Sequence, residues 1–327
     1  MDVSLIGLGN LGTAVSHLLT GNGHTVRAWE HNEKVVAAIN ETHMNPFYLP
    51  GIQLSPKVSA TTDFESLVDT ETLIITLPSR FISQTLTRYS NLIRSSTSLV
   101  NLSKGITEDG ETVYKYLSRQ FPENPLALLS GPSLANEMAQ QKLTAVIAAS
   151  ANTALLDRIE QLFNNSWFSV QPSSDPVGVE MGGILKNIYA MALGIVDQHT
   201  AFGKNFYGAF ICLAMQELKA LTLAAGGKPE SADSLAGLGD LITTAFSEDS
   251  HNRKMGQLIA QGQTLEQIKD TMGILPEGYN SLIQGLRLAE SYRCRVPLAN
   301  LIDQRVNGAI DNDEFMLAIA GLLKSES

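Results

Sequence analysis

The run Val3-Ser4-Leu5-Ile6-Gly7-Leu8-Gly9-Asn10-Leu11-Gly12-Thr13-Ala14 constrains the fold of this chain more than any other segment. An apolar stretch over residues 3–6 leads into Gly7-x-Gly9-x-x-Gly12, and a helical pattern over residues 13–19 follows. Each glycine answers a separate steric demand. Gly7 permits a tight turn, Gly9 lets the backbone approach a pyrophosphate, and Gly12 lets the helix pack close to the strand. The N–H groups at the helix start, those of Asn10 and Leu11 among them, act with the helix dipole to attract phosphate. A second strand, residues 25–29, ends in Glu30, about 20 residues beyond the glycines, where an acid accepts hydrogen bonds from an adenosine ribose. A carboxylate there repels a 2′-phosphate and favours NAD. Arg27 and His31 flank it, and a His31 turned toward that phosphate would admit NADP.

The first half of the chain alternates strands with helices. Strands are expected over 3–6, 26–29, 73–76, 99–102, 126–129 and 144–148, with helices between them, for example over 32–40 and 80–92. Several of these strands are continuous apolar runs, as parallel strands covered on both faces require. The alternation argues for an α/β Rossmann domain, a doubly wound parallel sheet, over residues 1–172. The turn-rich segment Gln171-Pro172-Ser173-Ser174-Asp175-Pro176 reads as a connector. Beyond it the apolar spacing becomes helical, giving a mostly α-helical domain over 173–327 that would bind substrate and carry the catalytic groups. Net charge is −10, from 33 acids and 23 bases with no basic run, which argues against nucleic acid as a partner. No apolar stretch is expected to reach membrane-spanning length, and the first strand begins at once, leaving no room for a signal peptide. Cys212 and Cys294 show no metal or redox spacing, so no metal site is expected and the compartment reads as cytoplasmic.

In doubly wound sheets, ligands sit beyond the carboxyl ends of the strands. Three loops there carry chemistry: Pro78-Ser79, Ser103-Lys104-Gly105 and Ser130-Gly131-Pro132-Ser133. Lys104 is the best-placed cation, able to polarise a carbonyl or meet an anion. In the helical half, Lys186 lies in Gly182-Gly183-Ile184-Leu185-Lys186-Asn187-Ile188, among small and apolar residues. Desolvation there would disfavour its ammonium, and a general acid/base near neutral pH needs such a group; a snorkelling surface lysine is the alternative. Asn187 could orient it. Asp240, in Gly237-Leu238-Gly239-Asp240-Leu241, either caps the next helix or pairs with Lys186, and Thr244 lies one turn on. Ser250-His251-Asn252-Arg253-Lys254 is a polar cluster that would suit a phosphate.

Taken together, these motifs, with Asn45-x-x-Tyr48-Leu49-Pro50-Gly51, Ala60-Thr61-Thr62-Asp63, Ala135 and Glu277-Gly278-Tyr279, closely resemble the bacterial soluble NAD(P)-dependent glycerol-3-phosphate dehydrogenases over nearly the whole chain. The resemblance implies reversible hydride transfer between NAD(P)H and dihydroxyacetone phosphate, a small phosphorylated three-carbon ketone, in a homodimer. It implies that Lys186 exchanges the proton on the substrate oxygen, and that Lys104, Asn187, Asp240 and Thr244 stand at other active-site positions. Gly131, Ser133, Ser250 and Asn252 match substrate contacts, and Ala135 and Glu277 cofactor contacts. Two departures stand out. The family's Ser-Arg-Asn reads Ser250-His251-Asn252 here, which loses a bidentate phosphate grip, and Arg253 could compensate only if the loop shifts. Its Ile-Thr-Arg-Gly reads Ile211-Cys212-Leu213-Ala214, and Tyr207 stands where a basic residue is common. The missing basic groups leave open a diverged paralogue reducing another small ketone or aldehyde. A cofactor-sensing protein with a vestigial site is a third reading, opposed by the intact Lys104, Lys186 and Asp240.

Overall fold

The structure is a computed structural model that describes residues 1–67, 69–199, 203–248, 250–273 and 275–325. Its contacts divide the chain into two compact units, Met1–Pro176 and Val177–Ser327.

The first unit is built on strands β1 (Asp2–Ile6), β2 (Thr25–Trp29), β3 (Met44–Asn45), β4 (Leu49–Gln53), β5 (Val58–Thr61), β6 (Thr72–Ile75), β7 (Ser98–Asn101), β8 (Leu126–Ser130), β9 (Thr144–Ala149) and β10 (Phe168–Ser173). Eight of them form one sheet in the order β10-β9-β8-β7-β6-β1-β2-β5, and β3 pairs with β4 in a separate hairpin. The helices between them are α1 (Asn10–Gly21), α2 (Glu33–Thr42), α3 (Ile82–Arg88), α4 (Val113–Gln120), α5 (Ala135–Ala139) and α6 (Thr153–Phe163). The central strands are mostly apolar because successive side chains enter two different cores. Val3 and Leu5 of β1, Ile74 of β6 and Val100 of β7 join the cluster around α1, α2 and α6. Ile6, Leu73, Ile75 and Leu99 join the opposite cluster with Ile82, Leu86, Val113 and Leu117. The doubly wound architecture expected from the sequence is therefore present.

The sheet differs from a purely parallel one at one edge. From β5 through β8 the neighbours are parallel, but β9 runs antiparallel to β8, and β10 is parallel to β9. Residues 168–173 are a strand, where the sequence suggested a connector from Gln171 onward; Pro172 is tolerated because β10 is an edge strand. Along β10, the carbonyls of Trp167 and Ser173 accept from Thr144 and Ser150, so the odd-numbered residues face β9 and the even-numbered ones face outward. The outward N–H of Phe168 donates to Asn165 Oδ1 at 2.8 Å and that of Val170 to Asn164 Oδ1 at 2.7 Å.

The second unit holds α7 (Pro176–Val196), α8 (Lys204–Ala224), α9 (Asp240–Phe246), α10 (His251–Ala260), α11 (Leu265–Met272), α12 (Glu277–Ser291), α13 (Pro297–Val306) and α14 (Asn312–Ser325). By length and composition α7 and α8 could each cross a bilayer, a correction to the sequence reading. An 18-residue window of α7 has mean hydropathy 1.3 with 94% of it buried by protein, whereas the α8 window is 44% buried. Lys186 lies inside the α7 helix, as its small and apolar neighbours suggested. A buried carboxylate ties two further helices together. Glu217 of α8 accepts the N–H groups of Leu298 and Ala299 at the start of α13 and the hydroxyl of Tyr189, so a helix N-terminus and a phenol satisfy a charge that burial would otherwise penalise. Burial, with the Glu217 charge beside it, pushes the Tyr189 hydroxyl well above the ordinary tyrosine range.

Candidate active site

The glycine turn is locked by its neighbours. Gly7 has φ +96°, and a Cβ on Gly12 would sit 1.9 Å from the Gly7 carbonyl oxygen, so only glycine lets α1 start so close to β1. Thr76 donates to the Gly7 carbonyl at 2.7 Å. The Leu8 peptide is held at both ends: its N–H donates to Glu30 Oε2 at 3.0 Å, and its carbonyl accepts from Asn45 Nδ2 at 2.8 Å and Thr13 Oγ1 at 3.2 Å. Asn45, wholly buried at the start of the β3–β4 hairpin, is thus a brace of the turn, a role that the sequence did not reveal.

The turn fits a dinucleotide phosphate. No side chain caps the N-terminus of α1, and a Cβ on Gly9 would meet nothing within 4 Å. Asn10 is exposed and Leu11 half-buried beside it. The orphan amides of a helix start, uncapped and approachable, are the donors a pyrophosphate takes. Glu30 is placed differently from expectation. Its side chain is 5% exposed, and its oxygens accept from Leu8 N and from Asn32 N at 3.1 Å, with His31 Nδ1 lying 2.7 Å from Oε1.

A second cluster lies at the ends of β6, β7 and β8. Lys104 follows β7 and donates through Nζ to the Gly131 carbonyl at 2.7 Å and to Ser133 Oγ at 3.1 Å. Gly131 follows β8 with φ +133°, and Ser133 Oγ donates to the same carbonyl at 3.0 Å. Pro78 is exposed beyond β6, and Ala135 opens α5. The structure therefore joins Lys104, Gly131 and Ser133 into one polar group, as residues 27 and 29 positions apart in sequence cannot declare by themselves.

In the helical unit, Lys186 Nζ donates to Asp240 Oδ1 at 2.6 Å and to Thr244 Oγ1 at 2.8 Å. The two charged side chains are 8% and 2% exposed. Burial disfavours the ammonium and the adjacent carboxylate favours it, so the desolvation anticipated from sequence acts on a pair and not on an isolated amine. Close helix contact sets this geometry. A Cβ on Gly182 would lie 2.7 Å from the Ala236 carbonyl oxygen, and one turn further along both elements Lys186 meets Asp240. Asp240 does not cap its helix: a π-helical turn over Leu235–Gly239, itself capped by Ser234, precedes it, and Asp240 is the first residue of α9.

Asn187 accepts through Oδ1 from Asn252 Nδ2 at 2.9 Å, and Asn252 Oδ1 accepts from the Gly278 N–H at 2.8 Å. Gly278 follows Glu277, the half-buried first residue of α12. Asn252 is buried in this chain of bonds, whereas His251 is exposed at the start of α10 and Ser250 caps that helix. Arg253 is engaged by a residue the sequence did not single out. Its Nε donates to Asp197 Oδ2 at 2.5 Å, with Tyr207 Oη on Oδ1 at 2.7 Å and Gln257 Nε2 on Oδ2 at 3.2 Å. Burial raises the Asp197 carboxyl, but the bonds from Arg253, Tyr207 and Gln257 outweigh it and hold the group below its ordinary range. Burial, with Asp197 beside it, pushes the Tyr207 hydroxyl up to about 12. Leu213 is a core residue, 4% exposed.

Comparison with known proteins gives a consistent answer. The family profile described as NAD-dependent glycerol-3-phosphate dehydrogenase N-terminus matches residues 2–156, and that described as the C-terminus matches residues 175–317. The glycerol-3-phosphate dehydrogenase [NAD(P)+] of Bacillus velezensis is 34% identical over 307 residues, covering 92% of this chain and 89% of that one. That of Bacillus subtilis is also 34% identical over 307 residues, with the same coverage of 92% and 89%. The crystal structure of the Coxiella burnetii glycerol-3-phosphate dehydrogenase superposes with a TM-score of 0.91 at 29% identity, covering 98% of each chain.

Proposed function

Because this chain belongs to the NAD-dependent glycerol-3-phosphate dehydrogenase family, we propose that Lys186 is the acid/base of its reaction and that Asp240 and Thr244 hold it in place. The family's enzymes are NAD(P)-dependent oxidoreductases acting on a CH–OH group, and this chain is one of them. The reaction is reversible hydride transfer between NAD(P)H and dihydroxyacetone phosphate, giving sn-glycerol 3-phosphate. When bound, NAD(P)H supplies the hydride. The observation that carries the assignment of Lys186 is its position, 2.6 Å from Asp240 and 2.8 Å from Thr244 in a buried setting.

Each residue has a defined task in this reading. In the reducing direction the Lys186 ammonium gives a proton to the C2 oxygen, and the Asp240 carboxylate supports the ammonium that must re-form. Asn187, fixed through Asn252, turns its amide toward the substrate. Lys104, with Gly131 and Ser133, contacts substrate and steadies charge developing on its oxygen; Ser250, His251 and Asn252 serve its phosphate, and Arg253, held by Asp197, fixes the start of their helix. Gly7, Gly9, Asn10, Leu11 and Gly12 hold the pyrophosphate, with Pro78, Lys104, Ala135 and Glu277 as further cofactor positions and Glu30 bracing the turn from behind through the Leu8 N–H. The first unit, Met1–Pro176, serves as the dinucleotide-binding domain and the second, Val177–Ser327, as the helical substrate domain, a boundary a few residues beyond the expected 172/173 because β10 completes the sheet. The enzyme works as a cytoplasmic homodimer supplying glycerophospholipid precursor.

The test is NADH oxidation with dihydroxyacetone phosphate beside unphosphorylated dihydroxyacetone and glyceraldehyde 3-phosphate. Selective saturation by dihydroxyacetone phosphate is expected, and Lys186→Ala should abolish it while NADH binding stays within about twofold. Turnover by Lys186→Ala at the parent rate would refute the role given to this lysine.

A further inference from the structure

We propose that the Gly278 N–H at the start of α12 fixes which way round two buried amides face, so that Asn187 shows the substrate a donor and not an acceptor. This rests on the reaction assigned above and adds to it the group that sets the polarity of the site. A carboxamide is nearly symmetric in shape. Its oxygen and nitrogen exchange places by a half-turn that packing barely resists, so hydrogen bonding alone chooses between the two orientations.

Helix packing fixes where the two side chains stand. A Cβ on Gly194 would sit 2.0 Å from the Arg253 carbonyl oxygen, and one on Gly256 would sit 1.9 Å from the Met191 carbonyl oxygen. Helices α7 and α10 therefore cross in backbone contact, with Asn187 and Asn252 buried against each other. The half-turn is the freedom that remains, and Gly278 removes it. A backbone N–H can only donate, and this one reaches Asn252 Oδ1 at 2.8 Å. Asn252 must then turn Nδ2 toward Asn187, whose Oδ1 accepts it at 2.9 Å. With its oxygen so committed, Asn187 presents Nδ2, which has no protein acceptor among the described residues. A Cβ on Gly278 would lie 2.9 Å from both the Asn187 carbonyl oxygen and Asn252 Oδ1, so glycine is what lets the N–H come this close. Gly278 is thus a positioning residue that acts through two amides. The ligand atom suited to the site is an oxygen that accepts: a ketone carbonyl, the alkoxide that hydride transfer makes of it, or a phosphate oxygen. An ammonium group, with no lone pair to offer, would be refused.

Replacing Asn252 by aspartate inverts the relay. The introduced carboxylate accepts from Gly278 and from Asn187 alike, so Asn187 must give Nδ2 inward and turn Oδ1 to the substrate. The new charge also repels a phosphate directly, and a double-mutant cycle cancels that contribution. KM and kcat for dihydroxyacetone phosphate would be measured with NADH for the parent, Asn252→Asp, Asn187→Leu and the two combined. Asn252→Asp should lower kcat/KM about tenfold to a hundredfold more in the parent than in the Asn187→Leu background, where no amide is left to invert. Far-UV circular dichroism checks that each variant keeps its helices, and the same cycle with Asn187→Ala serves where leucine disturbs them. NADH affinity, titrated by fluorescence without ketone, should stay within about threefold throughout. Equal losses in the two backgrounds would overturn the relay, and so would a coupling seen in NADH affinity but not in ketone turnover. A parent protein that binds NADH without reducing dihydroxyacetone phosphate would overturn the assigned reaction, and the relay with it.

Discussion

Replacing Asp240 by alanine tests the paired lysine more sharply than removing the lysine itself. The two side chains are 8% and 2% exposed and 2.6 Å apart, so solvent does little to screen them. Deleting one member of such a pair leaves a buried charge without its partner, which costs about 3–5 kcal/mol. With a urea dependence of about 1–3 kcal/mol per molar, the unfolding midpoint should fall by roughly 1–5 M. The double variant Lys186→Met/Asp240→Leu removes both charges and fills the space with apolar atoms, and such replacements are close to neutral or stabilising. It should therefore be more stable than either single variant, although all three should lack turnover. Far-UV circular dichroism is the better probe of the helical unit, because Trp29 and Trp167, the two tryptophans, both lie in the first unit. If the losses of the two single variants simply add in the double variant, the pair is not the buried, mutually dependent unit described here, and the mechanism loses its footing.

Three further outcomes follow from the geometry. Gly182→Ala would drive a Cβ to 2.7 Å from the Ala236 carbonyl oxygen and push the turn before Asp240 away from Lys186. Turnover should fall about a hundredfold, as small misplacements of catalytic groups do, while NADH affinity is unchanged; a wild-type turnover number would refute the link. His251→Arg should lower the Michaelis constant for dihydroxyacetone phosphate about tenfold through charge-assisted bonds, and no change would mean that the phosphate is held elsewhere. The Asp197 carboxyl is held below its ordinary range in the fold, so its contribution is fully present above the unfolded value, about 3.9, and is lost as pH falls through the lower folded value. Stability measured from pH 5 downward should fall more steeply for the parent protein than for Asp197→Asn; parallel curves would show that Asp197 is not selectively held.

Much of the fold could be read from sequence because its determinants are local. Continuous apolar runs and the Gly7–Gly12 spacing are visible without any long-range knowledge, and five of the parallel strands, β1, β2, β6, β7 and β8, follow from them, whereas the short edge strand β5 does not. The reversal at β9 was not legible, since an apolar strand carries no mark of its direction. The strand at 168–173 was masked by Pro172, which is unremarkable at an edge but argues against a strand when position is unknown. At the site, residue types were readable and their commitments were not. An acid after β2 looks like a ribose ligand until Leu8 is found on its carboxylate. Arg253 looks like an uncommitted phosphate clamp until Asp197, 56 positions away, is found on its Nε. Glu217 gave no signal at all, because nothing in an amphipathic helix announces that a glutamate will meet two amides 81 and 82 positions later.

The outer side of β10 has a consequence for how copies of this chain behave at high concentration. Its outward positions present no N–H to a visiting strand: those of Phe168 and Val170 are already given to Asn165 and Asn164, and Pro172 has none. An incoming backbone would find acceptors but no donors, so it could not extend the ladder. The two asparagines and one proline act as a hem on the sheet, closing it to fibrillar growth from that side. Unstitching that hem by Asn164→Ala and Asn165→Ala would expose two donors and turn a finished border into a template.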